Sequence, residues 1–121
     1  MNILIVEDDT TLSALITDAV RSWGHMAEEA DTGEEAIKKL NHHHFDLILL
    51  DIFLPDTKGH LLIPEIRKLW PQSNIISMTG YNSRDLEWEV RKQGVMYYMI
   101  KPFDIDQIRS ILDHMNSKTI Q

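Results

Sequence analysis

The chain of 121 residues has no cysteine at all. That excludes a disulfide frame and any thiolate site, and cysteine usage gives no clue to compartment. Basic residues are in short supply: twelve Lys and Arg stand against nineteen Asp and Glu, for a formal charge of −7 and a pI near 5.2. Such a balance argues against a nucleic-acid groove on this surface. Any cation the chain uses is then a metal or a partner's arginine. No apolar run approaches the ~20 residues of a membrane span, and the N-terminus lacks the basic and apolar regions of a signal peptide. The expectation is a soluble, cytoplasmic protein without membrane contact. No linker, internal repeat or low-complexity stretch divides the chain, so residues 1–121 read as one domain, long enough to bury a core without staples.

Five short apolar runs are present: Ile3–Val6, a weaker His25–Glu29, Phe45–Leu50, Asn74–Met78 and Met96–Ile100. They read as strands. Helical spacing of apolar residues separates them, over Thr10–Trp23, Thr32–Asn41, Lys58–Leu69, Ser83–Gln93 and Asp104–Met115. Thr32 and Glu35 have capping-box spacing, Gly24 and Gly94 stand where helices end, and Asp104 is placed to cap the last helix. Strict alternation implies βαβ units, hence an α/β doubly wound parallel sheet with helices on both faces. The first, third and fourth runs are apolar enough for central strands.

In such a sheet function collects at the carboxyl ends of the strands. There the first run delivers Glu7-Asp8-Asp9, the third Asp51, the fourth Thr79-Gly80 and the fifth Lys101-Pro102. Two carboxylates about 4 Å apart repel by roughly 4 kcal/mol at an effective dielectric of 20, and a divalent cation removes that cost. A donor set of oxygens with neither Cys nor His favours Mg²⁺, with Mn²⁺ as the alternative. A lysine suits one phosphoryl oxygen and a threonine hydroxyl another. These parts describe phosphoryl transfer, with the central carboxylate as nucleophile.

Four motifs, "LIVEDD", "LLDIFLPDTKG", "SMTG" and "YYMIKPF", in this order and spacing, resemble the receiver domain of bacterial two-component response regulators. The resemblance covers essentially the whole chain and implies a flavodoxin-like strand order 2-1-3-4-5. It implies Asp51 as phospho-acceptor, Asp8 as direct Mg²⁺ ligand, Glu7 acting largely through water, and the Phe53 carbonyl completing the metal ligands. Thr79 becomes the switch hydroxyl, Lys101 the phosphoryl-binding lysine and Tyr98 the switch aromatic. The Lys101–Pro102 bond is implied to be cis. The acid pair departs from the family's commoner Asp-Asp. Phe53 and Tyr81, two positions beyond Asp51 and Thr79, flank the route of water to an acyl phosphate and imply slow self-dephosphorylation.

Implied partners are a sensor histidine kinase or phosphotransfer protein as donor, an output domain or downstream protein, and a homodimer formed on phosphorylation. The chain would not be an enzyme in the ordinary sense, since it catalyses only its own modification. Other readings fit less well. Phosphohydrolases with an aspartate nucleophile want a second aspartate where Phe53 stands, and a flavin carrier wants a phosphate loop where Glu7-Asp8-Asp9 would repel phosphate. Asp9 reads as a helix cap rather than a ligand, and Ser77 is a rival hydroxyl on the same strand face as Thr79. The triplet His42-His43-His44 reads as a solvated helix end, because adjacent residues do not share a face. Gly59 reads as a turn position needing a permissive backbone, and the three tryptophans as packing or surface residues.

Overall fold

Short apolar runs separated by helically spaced apolar residues form ten alternating elements in the computed structural model, which describes residues 1–120 and side chains through Asn116. The strands are β1 (Asn2–Val6), β2 (Met26–Ala30), β3 (Leu47–Asp51), β4 (Ile75–Thr79) and β5 (Tyr97–Ile100). The helices are α1 (Thr10–Ser22), α2 (Gly33–His42), α3 (Gly59–Leu69), α4 (Arg84–Arg91) and α5 (Ile105–Ile120). All pairings are parallel, in the order β2-β1-β3-β4-β5. Every expected element is present. The third strand starts at Leu47 rather than Phe45 and runs through Asp51, so the carboxylate belongs to the ladder instead of following it.

Alternating side chains of the central strands feed two cores. Leu4, Val6, Ile48 and Leu50 pack with α2, α3 and α4 through Ala36, Leu40, Leu62, Ile63, Ile66 and Val90. Ile3, Ile5, Leu47 and Leu49 pack on the opposite face with Ile16 and Val20 of α1 and Ile108, Ile111 and Leu112 of α5. Each such Val, Leu or Ile side chain contributes about 1.5–3 kcal/mol on burial. β3 and β4 are buried at every residue, so what they carry at their ends is held on a rigid floor.

The helix ends show local chemistry at work. Asp9 caps α1, its Oδ1 accepting from the N–H groups of Thr11 and Leu12 at 3.0 and 3.1 Å. Thr32 accepts from Glu35 N–H at 3.0 Å, and Asp104 accepts from Asp106 N–H. Gly24 and Gly94 take positive φ, +94° and +81°, where a Cβ would be strained. Gly59 has another reason to be glycine than the turn expected for it. Its φ is not in the left-handed region; instead a Cβ would lie 2.4 Å from Ile52 Cδ1, so the residue permits α3 to start against β3.

Pro64 lies inside α3. A proline there has no N–H for the carbonyl four residues earlier, and the freed His60 carbonyl accepts instead from the Gln93 side chain at 2.8 Å. Arg67 also donates to the Gly94 carbonyl at 2.9 Å. These polar ties matter because α4 buries a single residue, Val90. Among the described residues no helix is long and apolar enough to cross a membrane.

Candidate functional site

Four strand ends converge at one rim. β1 delivers Glu7 and Asp8, β3 ends on Asp51, β4 on Thr79, and β5 is followed by Lys101 and a cis Lys101–Pro102 peptide. Carboxylate oxygens of Glu7, Asp8 and Asp51 all lie within 4.8 Å of one another. Glu7 and Asp51 are buried, 1% and 4% exposed, whereas Asp8 faces solvent. Burying two acids side by side is costly unless they are neutralised or paired.

Lys101 supplies the pairing. Its ammonium donates to Glu7 Oε1 and, at 3.1 Å, to Asp51 Oδ2. The second oxygen of Asp51 accepts from the Phe53 N–H at 2.9 Å, and Glu7 Oε2 accepts from Asp9 N–H at 3.3 Å. Both oxygens of the central carboxylate are therefore oriented, one by a cation and one by its own loop. The balance remains unfavourable for anions. Burial, with the neighbouring Asp51 adding to it, pushes Glu7 up to about 7 against the opposing pull of Lys101. Burial alone would lower the Lys101 ammonium, but its bonds to Glu7 and the charge of Asp51 outweigh that and raise it.

Three carboxylates facing one ammonium leave an anionic excess that a divalent cation would cancel. The donors are hard oxygens, as Mg²⁺ or Mn²⁺ requires, and one more is poised beside them. Ile52 O accepts from Gly59 N–H at 2.7 Å and Thr57 O from Leu54 N–H at 3.1 Å, flanking the antiparallel bridge between Phe53 and Lys58. In that pattern the N–H and carbonyl of Phe53 face away from Lys58, and the N–H already points to Asp51. The residues fit a divalent cation.

Thr79 and Tyr98 are at the rim but turned elsewhere. The buried Thr79 hydroxyl donates to the Tyr81 carbonyl at 2.6 Å and accepts from Tyr81 N–H at 3.1 Å, closing a tight turn into the β4–α4 loop. Tyr98 donates to Asn82 Oδ1 at 3.1 Å, with the Arg91 guanidinium 5.4 Å from its ring centre. Ser77, the rival hydroxyl, is wholly buried and donates to the Tyr97 carbonyl at 3.3 Å. Phe53 and Tyr81 meet edge to face, centroids 5.8 Å apart. His44 packs on Trp70 at 4.8 Å, and the three-residue acid group contains no histidine.

Sequence reasoning missed Asn82 and Arg91, because nothing in their local pattern announces a partner on another element. It also missed Asp56, whose carboxylate accepts from Gly33 and Glu34 N–H groups 22 to 23 residues away. A loop aspartate after Pro55 was the signal, but its target was legible only as the two N–H groups at the start of α2 that the Thr32 cap does not reach.

A family model described as the response regulator receiver domain matches residues 3–113. The transcriptional regulatory protein ZraR of Escherichia coli K12 is 31% identical over 113 residues, 93% of this chain but 26% of ZraR, so the chain spans about a quarter of that relative. Among solved structures, a two-component response regulator from Clostridium difficile superposes with a TM-score of 0.94 at 26% identity, covering 100% of this chain and 99% of that one. A response regulator from Burkholderia pseudomallei, with a phosphorylated aspartic acid, calcium ion and citrate, gives 0.84 at 26% identity over 90% of this chain and 64% of its own.

Proposed function

The chain belongs to the response regulator receiver domain family, and on that premise we propose that it is a phosphorylation-dependent switch whose acceptor is Asp51. The observation that carries the assignment is the orientation of that one carboxylate, buried at a strand end, with Lys101 on Oδ2 and the Phe53 N–H on Oδ1. An oxygen of Asp51 attacks phosphorus, the phosphorus–nitrogen bond of a phosphohistidine donor breaks, and the donor imidazole leaves with that electron pair. Glu7, Asp8, Asp51 and the Phe53 carbonyl would hold the Mg²⁺, which when bound neutralises charge on the transferring group.

The other residues act by position and charge. Lys101 already lies on Asp51, so a phosphoryl oxygen there meets an ammonium without a long movement. Thr79 must give up its bonds to Tyr81 to turn toward the new dianion. That movement draws on the β4–α4 loop, which also carries Asn82, the acceptor of the Tyr98 hydroxyl. Phosphorylation therefore reaches α4, the helix with least buried anchorage, and changes the surface formed by α4, β5 and α5. An output domain or downstream protein reads that surface, and a sensor kinase or phosphotransfer protein supplies the phosphoryl group. Phe53 and Tyr81 shield the acyl phosphate from water.

Intact-mass measurement after incubation with acetyl phosphate and Mg²⁺ tests the assignment. The wild type gains one acid-stable, base-labile phosphoryl group, and Asp51→Asn gains none. Equal labelling of the two proteins, or no labelling of the wild type, would refute it.

A further inference from the structure

The β3–α3 loop carries more than the Phe53 carbonyl. Its tip is fastened to α2 by Asp56, whose Oδ1 accepts from Gly33 N–H at 2.9 Å and whose Oδ2 accepts from Glu34 N–H at 3.0 Å. These are the first two N–H groups of α2, and Thr32 takes the third, from Glu35. The neighbouring contact is close: a Cβ on Gly33 would lie 2.5 Å from Thr57 Cγ2. Gly33 thus lets the loop tip rest directly on the helix start. The Gly33 amide, with that of Glu34, holds the Asp56 carboxyl below the usual range even though burial opposes it, so the clamp is charged at neutral pH.

From Asp56 the path to the site is covalent or hydrogen-bonded at every step. The next residue, Thr57, presents its carbonyl to the Leu54 N–H at 3.1 Å. That N–H belongs to the same planar peptide unit as the Phe53 carbonyl, so fixing one end aims the other. Burial of Ile52 and Leu54 sets the depth of the outgoing arm, while the returning arm is placed by Asp56 and Thr57. We propose that Asp56 is a positioning residue for phosphoryl transfer, holding the loop on α2 so that the Phe53 carbonyl faces the metal and the Phe53 N–H faces Asp51. The inference rests on the assignment of Asp51 and Phe53 given above.

Nuclear magnetic resonance of the full chain, titrated with MgCl₂, separates this role from helix capping in general. Wild type binds with shifts at the Phe53 and Leu54 amides. Asp56→Ala weakens Mg²⁺ by at least about tenfold, the lower end of what loss of an outer-shell partner does to a metal site. Asp56→Asn, which keeps one acceptor oxygen, falls between. Thr32→Ala removes a cap from the same turn without touching the loop, and its Mg²⁺ affinity stays within about twofold of wild type. In metal-free protein the Leu54 amide exchanges faster in Asp56→Ala and not in Thr32→Ala. Unchanged Mg²⁺ affinity in Asp56→Ala and Asp56→Asn overturns the clamp and leaves the site assignment standing, as does equal weakening by Thr32→Ala. A wild type whose Phe53 and Leu54 amides ignore Mg²⁺ overturns both.

Discussion

The buried Glu7 carboxyl costs the metal-free protein stability at neutral to mildly alkaline pH. In the unfolded chain Glu7 titrates at its ordinary value of 4.5; in the fold it is pushed up to about 7, by burial first and by Asp51 second. A folded-state value above the unfolded one means that the folded state holds the proton more tightly. The associated stability is therefore full below about pH 4.5 and is lost as pH rises through about 7. At 1.36 kcal/mol per unit, the gap corresponds to at most about 3 kcal/mol, a large part of a domain's total stability of roughly 5–15 kcal/mol. His25 works in the opposite sense: burial and the N-terminal charge lower it, so its contribution grows as pH rises through the range of free histidine. The two are separated by the variant Glu7→Gln, which removes one and keeps the other. Urea unfolding in EDTA from pH 5 to pH 8 should show wild type losing stability relative to Glu7→Gln by a few kcal/mol, with saturating Mg²⁺ abolishing the loss in wild type. Parallel profiles for the two proteins in EDTA would refute the assignment of an uncompensated buried carboxyl.

Packing and switching make further expectations. Gly59→Ala places a methyl 2.4 Å from Ile52 Cδ1 and 3.1 Å from its Cα, and should destabilise by about 1–3 kcal/mol in chemical denaturation. Gln93→Ala leaves the His60 carbonyl without its donor and should cost about 1 kcal/mol, with faster amide exchange in α4 as the local signature. Tyr81→Ala removes one ring of the Phe53–Tyr81 pair and should shorten the phospho-Asp51 lifetime several-fold in a phosphate-release assay; an unchanged lifetime would remove Tyr81 as a shield.

Most of the fold was legible because its signals are local. Leu47–Leu50 is too apolar for anything but a buried strand, and helical spacing between the runs leaves only crossovers to parallel neighbours. The acid, hydroxyl and amine at the strand ends followed from the same logic, since a parallel sheet gathers its carboxyl ends at one rim. What escaped depends on surroundings that no local pattern encodes. Gly59 was read as a turn, but its reason for being glycine is the nearness of Ile52, seven residues earlier and just past the end of β3. Pro64 looks like a helix breaker, yet the carbonyl it frees is what Gln93 uses to hold α4. Asp56 looked like any loop acid until the start of α2 was placed beside it.

Charge shows the same division in its sharpest form. Charge counting over Glu7, Asp8 and Asp51 gives a metal site, but it says nothing of how far each anion is buried or paired. Folding makes them unequal: Asp8 keeps its water, Asp51 is held between Lys101 and the Phe53 amide, and Glu7 is buried with only part of its charge compensated. Lys101 has three N–H donors and spends two of them on the buried acids, so one is left for any further oxygen that enters the site. Burial of Glu7, rather than the mere presence of the acids, is therefore what makes one ammonium insufficient for the resting site and gives a divalent cation its place there.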